Sequence, residues 1–371
     1  MIRTIIVDDE EFSLLSLENK LKEFPDICIV HTYTKQEKIL SDLKREKVDV
    51  AFLDIEMGEL NGLDFAEAIL SIQSSIHIVF VTAHSEYAVK AFEINSIDYL
   101  LKPVTKRRLQ KTINRLKEKI GEIKDPPTQE SPDNTLKIRC FHELQAFQNE
   151  QPIHFKTAKV KELFGFLLTH MHEYINRDVL IESLWPDQDY KKSKINLHTC
   201  LSHLRKILNG LGYSNCITFS NQCYSMTLEN IDCDAFEVER IFQHIDTLDE
   251  TNILEIENAI GLYTGAYMEL NGYEWAYESS QKYHEKVSAL LNRAIAFHQN
   301  IDDNKTLHFL QLQLKMNPYD DEMMKQCMEI LIHQGNRSEA IILFERYKER
   351  LTEDLGIEPD ISLTRIYHSL F

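Results

Sequence analysis

Five side chains suggest chemistry before any fold is assigned. Asp8 and Asp9 close one apolar run, Asp54 closes another and Thr82 a third, while Lys102 follows a fourth and precedes Pro103. Three carboxylates brought within reach of one another repel, and a hard divalent cation such as Mg²⁺ relieves that repulsion through oxygen ligands. The same cation would neutralise an incoming phosphoryl group. Asp54 could then act as the nucleophile and form an acyl phosphate. Lys102 would set a positive charge against the phosphoryl oxygens, and Thr82 could donate its hydroxyl to the same group. One aspartate at a strand end is more often a turn former, so the reading rests on the set.

The elements that must bring these residues together follow from the apolar pattern. Strand-like runs at 4–7, 28–32, 48–53, 76–81 and 97–101 alternate with amphipathic stretches such as 12–24, 62–70 and 105–120. Five such alternations predict a doubly wound α/β domain with a five-stranded parallel sheet and helices on both faces. The carboxyl ends of its strands would line one crevice, where ligands bind. This first domain is read as 1–120. Residues 121–134 (GEIKDPPTQESPDN) break every pattern and read as a linker.

The domain read as 135–230 opens with strand patterns at 136–141, 143–148 and 152–155. Helices are expected at 158–171, 177–185 and 193–208, then a strand pair at 216–219 and 224–228. Asn176 is a plausible cap for the second helix and Pro186 its stop. This order is that of a winged helix-turn-helix (α+β). In the third helix Leu197, Leu201, Leu204 and Leu208 make the buried stripe. Asn196, His198, Thr199, Ser202, His203 and Lys206 are taken for the polar side, able to reach base edges or phosphates in a major groove. Lys191, Lys192 and Lys194 would sit at the helix start near backbone phosphates. A solvated face in a protein-binding domain is the plainer alternative.

From 231 to 371 helical patterns recur in pairs, the clearest joining 320–334 to 338–355, near the tetratricopeptide period of about 34 residues. An all-α, tetratricopeptide-like array is expected there. Trp185, Trp275, Tyr263, Tyr283, Phe297 and Phe344 sit at helical spacing and read as core.

The net charge of −18 argues at first against nucleic acid. The acid is concentrated in 231–371, which carries −14, whereas 135–230 carries +2. Within 190–206 lie five basic residues (Lys191, Lys192, Lys194, Arg205, Lys206) and no acidic one. A local basic stripe matters more for DNA than the whole-chain sum. The seven cysteines (28, 140, 200, 216, 223, 233, 327) form no C-x-x-C pair and read as reduced, mostly buried thiols. A metal cluster of Cys216, Cys223 and Cys233 is the minor alternative, because zinc sites favour tighter pairs. No apolar run reaches the roughly 18 residues of a membrane span. Met1-Ile2-Arg3-Thr4 runs straight into a strand pattern, without the layout of a signal peptide. A cytoplasmic protein without a membrane partner is expected.

Residues 1 to about 120 resemble the response-regulator receiver family, on VDDE (7–10), FLDIEM (52–57), NGLDFA (61–66), FVTAH (80–84) and DYLLKP (98–103). The resemblance implies phosphorylation at Asp54, and Mg²⁺ on Asp9, Asp54 and the main-chain carbonyl of Glu56, with Asp8 helping through water. It makes Thr82 and Tyr99 the switch pair and implies a cis bond between Lys102 and Pro103. Gly58-Glu59 stands where the family commonly has Pro-Gly. That loosens the loop and implies an altered acyl-phosphate lifetime. Residues 136–371 resemble the output half of SARP-type activators, a winged helix followed by a bacterial transcriptional activator domain. The matching segments are KVKELFGFLL (159–168), INRDVLIESLWP (175–186), KINLHTCLSHLRKIL (194–208), CDAF (233–236), MNPYDDEMM (316–324) and LTEDLGIEPD (351–360). Ser202 and His203 stand where arginines are frequent, and Cys223-Tyr224 where Gly-Tyr is usual.

The combined expectation is a two-component response regulator and not an enzyme acting on a second substrate. A sensor histidine kinase would phosphorylate Asp54, and the face around the fourth helix, fifth strand and fifth helix would change assembly. A homodimer would then bind double-stranded DNA, with RNA polymerase a candidate partner of the acidic array. The alternative is a phosphorylation-controlled protein-binding regulator whose C-terminal array is the output.

Overall fold

The computed structural model describes residues 1–35, 38–57, 60–73, 75–84, 87, 96–121, 135–245 and 248–371. The chain divides into two compact units. One comprises Met1–Thr135 with Gln148–Asn230, the other Leu136–Phe147 with Ile231–Phe371. Residues 122–134, most of the expected linker, lie outside the described residues.

The first unit begins with β1 (Ile2–Val7), α1 (Glu11–Leu21), β2 (Ile27–Tyr33), α2 (Ile39–Leu43), β3 (Val50–Leu53) and α3 (Gly62–Ile72). It continues with β4 (His77–Thr82), β5 (Asp98–Leu101) and α4 (Lys106–Gly121). The sheet is parallel, in the order β2-β1-β3-β4-β5. Strand side chains alternate between faces, and the two faces have separate cores. Ile5, Val7, Ala51, Leu53, Ile78 and Phe80 meet Ile39, Leu43, Leu63, Phe65 and Ile69 on one side. Ile6, Val50, Phe52, Val79 and Val81 meet Leu14, Leu17, Leu21, Leu109, Ile113 and Leu116 on the other. The inner strands β1, β3 and β4 are buried on both faces, which is why they read as continuous apolar runs.

At the amino end of this sheet, Asp98 is wholly buried. Its carboxylate accepts from Arg108 Nη1 and Nη2, both at 2.5 Å, from Thr112 Oγ1 at 2.7 Å, from Arg115 Nη1 at 3.0 Å and from the Tyr99 amide at 3.0 Å. Burial alone would raise its pKa, yet the bonds from Arg108, Thr112 and Tyr99 hold it below the ordinary value of 3.8.

The same unit contains α5 (Ala158–Thr169), α6 (Arg177–Leu184) and α7 (Tyr190–Gly210). Antiparallel strands Ile175–Asn176, Cys223–Met226 and Ile217–Ser220 form a small sheet. Thr157 and Asn176 cap α5 and α6 by accepting from the amides of Val160 and Asp178. The expected leucine stripe of α7 is buried: Leu197, Leu201, Leu204 and Leu208 pack in the core with Cys200.

In the second unit, Leu136–Arg139 pairs in parallel with Ile231–Cys233. The segment from 231 is therefore not helical from its start, a correction to the sequence reading. Helices follow at Asp234–His244, Ile253–Leu262, Tyr277–His298, Asp303–Met316, Asp321–His333, Arg337–Leu355 and Ile361–His368. From Ile253–Leu262 to Arg337–Leu355, each packs on the next. Met324, Met328, Phe344, Tyr347, Leu351 and Leu363 form the core at the C-terminal end. Asp302, Asp320 and Asp360 cap three of the helices. Trp185 and Phe344 are buried as expected, but Trp275, Tyr263, Tyr283 and Phe297 are only half-buried. Tyr263 and Tyr283 pack their edges around Phe141, with ring centroids 5.0 and 5.5 Å away. No helix among the described residues is long and apolar enough to cross a membrane.

Candidate functional site

The parallel sheet places the five residues as their spacing predicts, at the carboxyl ends of its strands. Asp8 and Asp9 follow β1, Asp54 follows β3, Thr82 ends β4 and Lys102 follows β5. One carboxylate oxygen from each of Asp8, Asp9 and Asp54 lies within 4.8 Å of the others. Asp8 and Asp54 are buried and Asp9 is exposed. The Lys102 ammonium bridges the buried pair, 2.8 Å from Asp8 Oδ2 and 2.7 Å from Asp54 Oδ2, with Glu10 Oε2 at 4.0 Å. Backbone bonds fix the frame. The Asp54 amide donates to the Val7 carbonyl and the Lys102 amide to the Thr82 carbonyl, and the Lys102–Pro103 bond is cis.

Burial raises the Asp8 pKa even against the neighbouring Lys102 charge. Burial also works against the Lys102 charge, but the bonds to Asp54 and Asp8 hold its pKa above the ordinary value. Two buried carboxylates thus share one cation, a donor set of hard oxygens with more negative charge than its protein partners neutralise. That arrangement fits Mg²⁺. Thr82 is wholly buried, and its hydroxyl accepts from the His84 amide at 3.3 Å. Tyr99 is also inside the fold, its hydroxyl donating to the His84 carbonyl. Glu56 lies in a short strand, Glu56–Met57, paired with Leu60–Asn61. Its side chain is exposed and meets His84 at 3.0 Å. Gly58 and Glu59 lie outside the described residues, as do 85, 86 and 88–95 between β4 and β5.

A second group of possible ligands, Cys140, Cys233 and Asp234, is entirely buried. The cysteine cluster weighed from sequence does not assemble: among the described residues Cys233 meets Cys140, with 3.8 Å between sulfurs, and not Cys216 or Cys223. Asp234 already accepts from the amides of Cys140, Phe141 and Ala235. Burial, with Cys233 alongside, pushes the Cys140 thiol well up. A saturated carboxylate and a neutral thiol make a packing cluster and a poor metal site.

The expected DNA-facing residues separate into two sets. Lys191, Lys192, Thr199 and Lys206 are exposed. Asn196, Ser202 and His203 are half-buried, with Asn196 donating to Gln188 Oε1 at 3.0 Å and His203 Nε2 lying 3.0 Å from Lys156 Nζ. His198 corrects the sequence reading: it is only 6% exposed and pairs with Glu67. Lys194 is half-buried and reaches Asp64 at 3.3 Å. Arg205 is buried as well. The start of α7 also differs. The helix begins at Tyr190, and Asp189 caps it by accepting from the Lys191 and Lys192 amides at 3.0 and 3.2 Å. Those amides are therefore taken and cannot serve a phosphate. The pairing of Asp64 and Glu67 with Arg177, Lys194, His198 and Tyr224 carried no signal in sequence, because the partners lie more than a hundred residues away.

Comparison with known proteins places two matches on this geometry. Residues 4–114 match the response regulator receiver domain, and residues 233–371 match the bacterial transcriptional activator domain. An uncharacterized response regulatory protein of Yersinia pestis is 46% identical over 116 residues, 31% of this chain and 48% of its own length. The transcriptional regulatory protein BtsR of Salmonella typhi is 40% identical over 118 residues, 32% of this chain and 49% of its own. The chain thus spans about half the length of these curated relatives. The solved structure of Mycobacterium tuberculosis EmbR, in complex with a low-affinity phosphopeptide, aligns over 63% of this chain and 64% of its own. Its identity is 19% and its TM-score 0.47, too slight a likeness to bear on fold or function.

Proposed function

We propose that this chain, a response regulator that joins a receiver domain to a bacterial transcriptional activator domain, is a DNA-binding transcription regulator switched by phosphorylation of Asp54. The observation that carries the proposal is the Lys102 bridge between Asp8 and Asp54, with Asp9 alongside. Asp8, Asp9 and Asp54, with the Glu56 carbonyl, would hold Mg²⁺, which supplies charge neutralisation for an incoming phosphoryl group. An Asp54 oxygen attacks phosphorus as the bond to the donor's histidine nitrogen breaks, leaving an aspartyl phosphate. Lys102 exchanges its carboxylate partner for a phosphoryl oxygen, and the Thr82 hydroxyl donates to another. The donor is a sensor histidine kinase.

The three helices and small sheet of 148–230 act as a winged helix, with α7 in the major groove. Exposed Lys191, Lys192, Thr199 and Lys206, with Asn196, Ser202 and His203, make its reading face. The C-terminal helices form a tetratricopeptide-like array, and phosphorylation promotes a homodimer on DNA in the cytoplasm. The test is selection of bound fragments from random duplex DNA, with and without acetyl phosphate and Mg²⁺. Fragments enriched only with the phosphodonor, with affinity that weakens as salt rises, are the expected result. No enrichment at low salt in either state refutes the DNA reading and favours the C-terminal array as a protein-binding output.

A further inference from the structure

The third receiver helix carries two carboxylates onto the residues expected to face DNA. Asp64 accepts from Arg177 Nη1 at 2.9 Å and from Lys194 Nζ at 3.3 Å. One turn on, Glu67 is 2% exposed. One of its oxygens meets His198 Nδ1, and the other accepts from the Tyr224 hydroxyl. Both residues lie within the same compact unit as α7 and the small sheet, and α3 packs along strand Ile217–Ser220. Burial alone would raise the Glu67 pKa, but His198, Arg205 and the Tyr224 hydroxyl hold it below the ordinary value. The receiver offers carboxylates to cations that a DNA backbone would offer phosphates.

At its first residue, two positions before Asp64, α3 abuts the phosphoacceptor. The Gly62 amide donates to the Ile55 carbonyl at 2.7 Å. A Cβ at Gly62 would come within 2.1 Å of the Asp54 carbonyl oxygen and 2.8 Å of Ile55 Cα. Only glycine lets the helix start so close to the backbone that carries Asp54. A displacement of that backbone has a direct mechanical route into α3. The docked arrangement is also imperfect. Nε and Nη2 of buried Arg205, Nε of buried Arg177 and Oγ of buried Ser193 have no hydrogen-bond partner. Unsatisfied buried donors are costly, and an anion would satisfy the arginines once uncovered.

We propose that α3 is the coupling element of this protein: Asp64 and Glu67 hold α7 closed against DNA, and the phosphorylation state of Asp54 reaches them through the Gly62 contact. The inference rests on the regulator reading above. It adds a route through α3 to the face expected from sequence.

The test uses the full chain and reads His198 directly, by its rate of modification with diethyl pyrocarbonate relative to exposed His333. In the wild type His198 is protected, and acetyl phosphate with Mg²⁺ uncovers it. Glu67→Lys, or the milder Glu67→Gln should the first fail to fold, uncovers it without the phosphodonor. It also tightens duplex DNA binding by about tenfold, a usual size for coupling between sites. Acid-labile labelling of Asp54 confirms that each variant's receiver is folded. His198 equally protected in wild type and both variants, or protection unmoved by the phosphodonor, overturns the proposal. If His198 is uncovered as described but no sample binds DNA, the coupling stands and the DNA reading falls.

Discussion

The two ends of the receiver sheet hold buried carboxylates in opposite conditions. At the amino end, Asp98 has two arginines, a threonine hydroxyl and an amide to itself. At the carboxyl end, Asp8 and Asp54 share one ammonium. The first carboxylate is held below its ordinary pKa, and Asp8 above it. A fully satisfied charge stabilises a fold and has nothing left to bind. A charge short of partners costs stability and retains affinity for a cation or a phosphoryl group. The difference lies in the donors supplied to each carboxylate, since both sites are buried in the same domain.

The largest effect that would test this contrast is all-or-none. Asp54→Ala should abolish acid-labile labelling by acetyl phosphate and Mg²⁺, and stoichiometric labelling of the variant would break the assignment. Next, Lys102→Ala should slow labelling by about a hundredfold, the usual loss when one charge-stabilising donor is removed. An unchanged labelling rate would show that the bridge is merely structural. Asp98→Ala should do the reverse, destabilising the receiver by about 2 kcal/mol through the lost hydrogen bonds to a charged, buried carboxylate, while the folded variant still labels at low temperature. Urea titration followed by circular dichroism measures the first part and labelling the second. The smallest effect is in pH. Because folding lowers the Asp98 pKa, its contribution is present above the ordinary value of 3.8 and fades as pH falls below it. The stability gap between wild type and Asp98→Asn should therefore be flat from pH 8 to about 5 and close in stronger acid. A gap that closed near neutral pH would contradict the hydrogen-bond account.

The carboxyl end was legible because every one of its residues ends or directly follows a strand, and strands buried on both faces announce themselves as apolar runs. Asp8, Asp54, Thr82 and Lys102 needed only the topology of a parallel sheet to be brought together. His198 was misread for the opposite reason. Its helix has a clear leucine stripe, so the remaining faces look solvated, and the carboxylate that covers it lies 131 residues earlier in the chain. The strand at Ile231–Cys233 was missed likewise: its partner is Leu136–Arg139, and three residues carry no period of their own. Asp189 was passed over because the basic stripe was counted from 190, one residue past the cap.

That cap has a quantitative consequence. With Asp189 spending the positive pole of α7 on its own carboxylate, counterion release on the proposed DNA partner would come from side chains alone. Lys191, Lys192 and Lys206 are exposed on α7. If each met a phosphate on DNA, at about 0.9 per neutralised phosphate, they would set a log–log salt slope of roughly −2.7 per chain. Lys194 and Arg205, once uncovered, would each steepen it by about the same increment, so the exponent itself would count how many cations the protein has released to its operator.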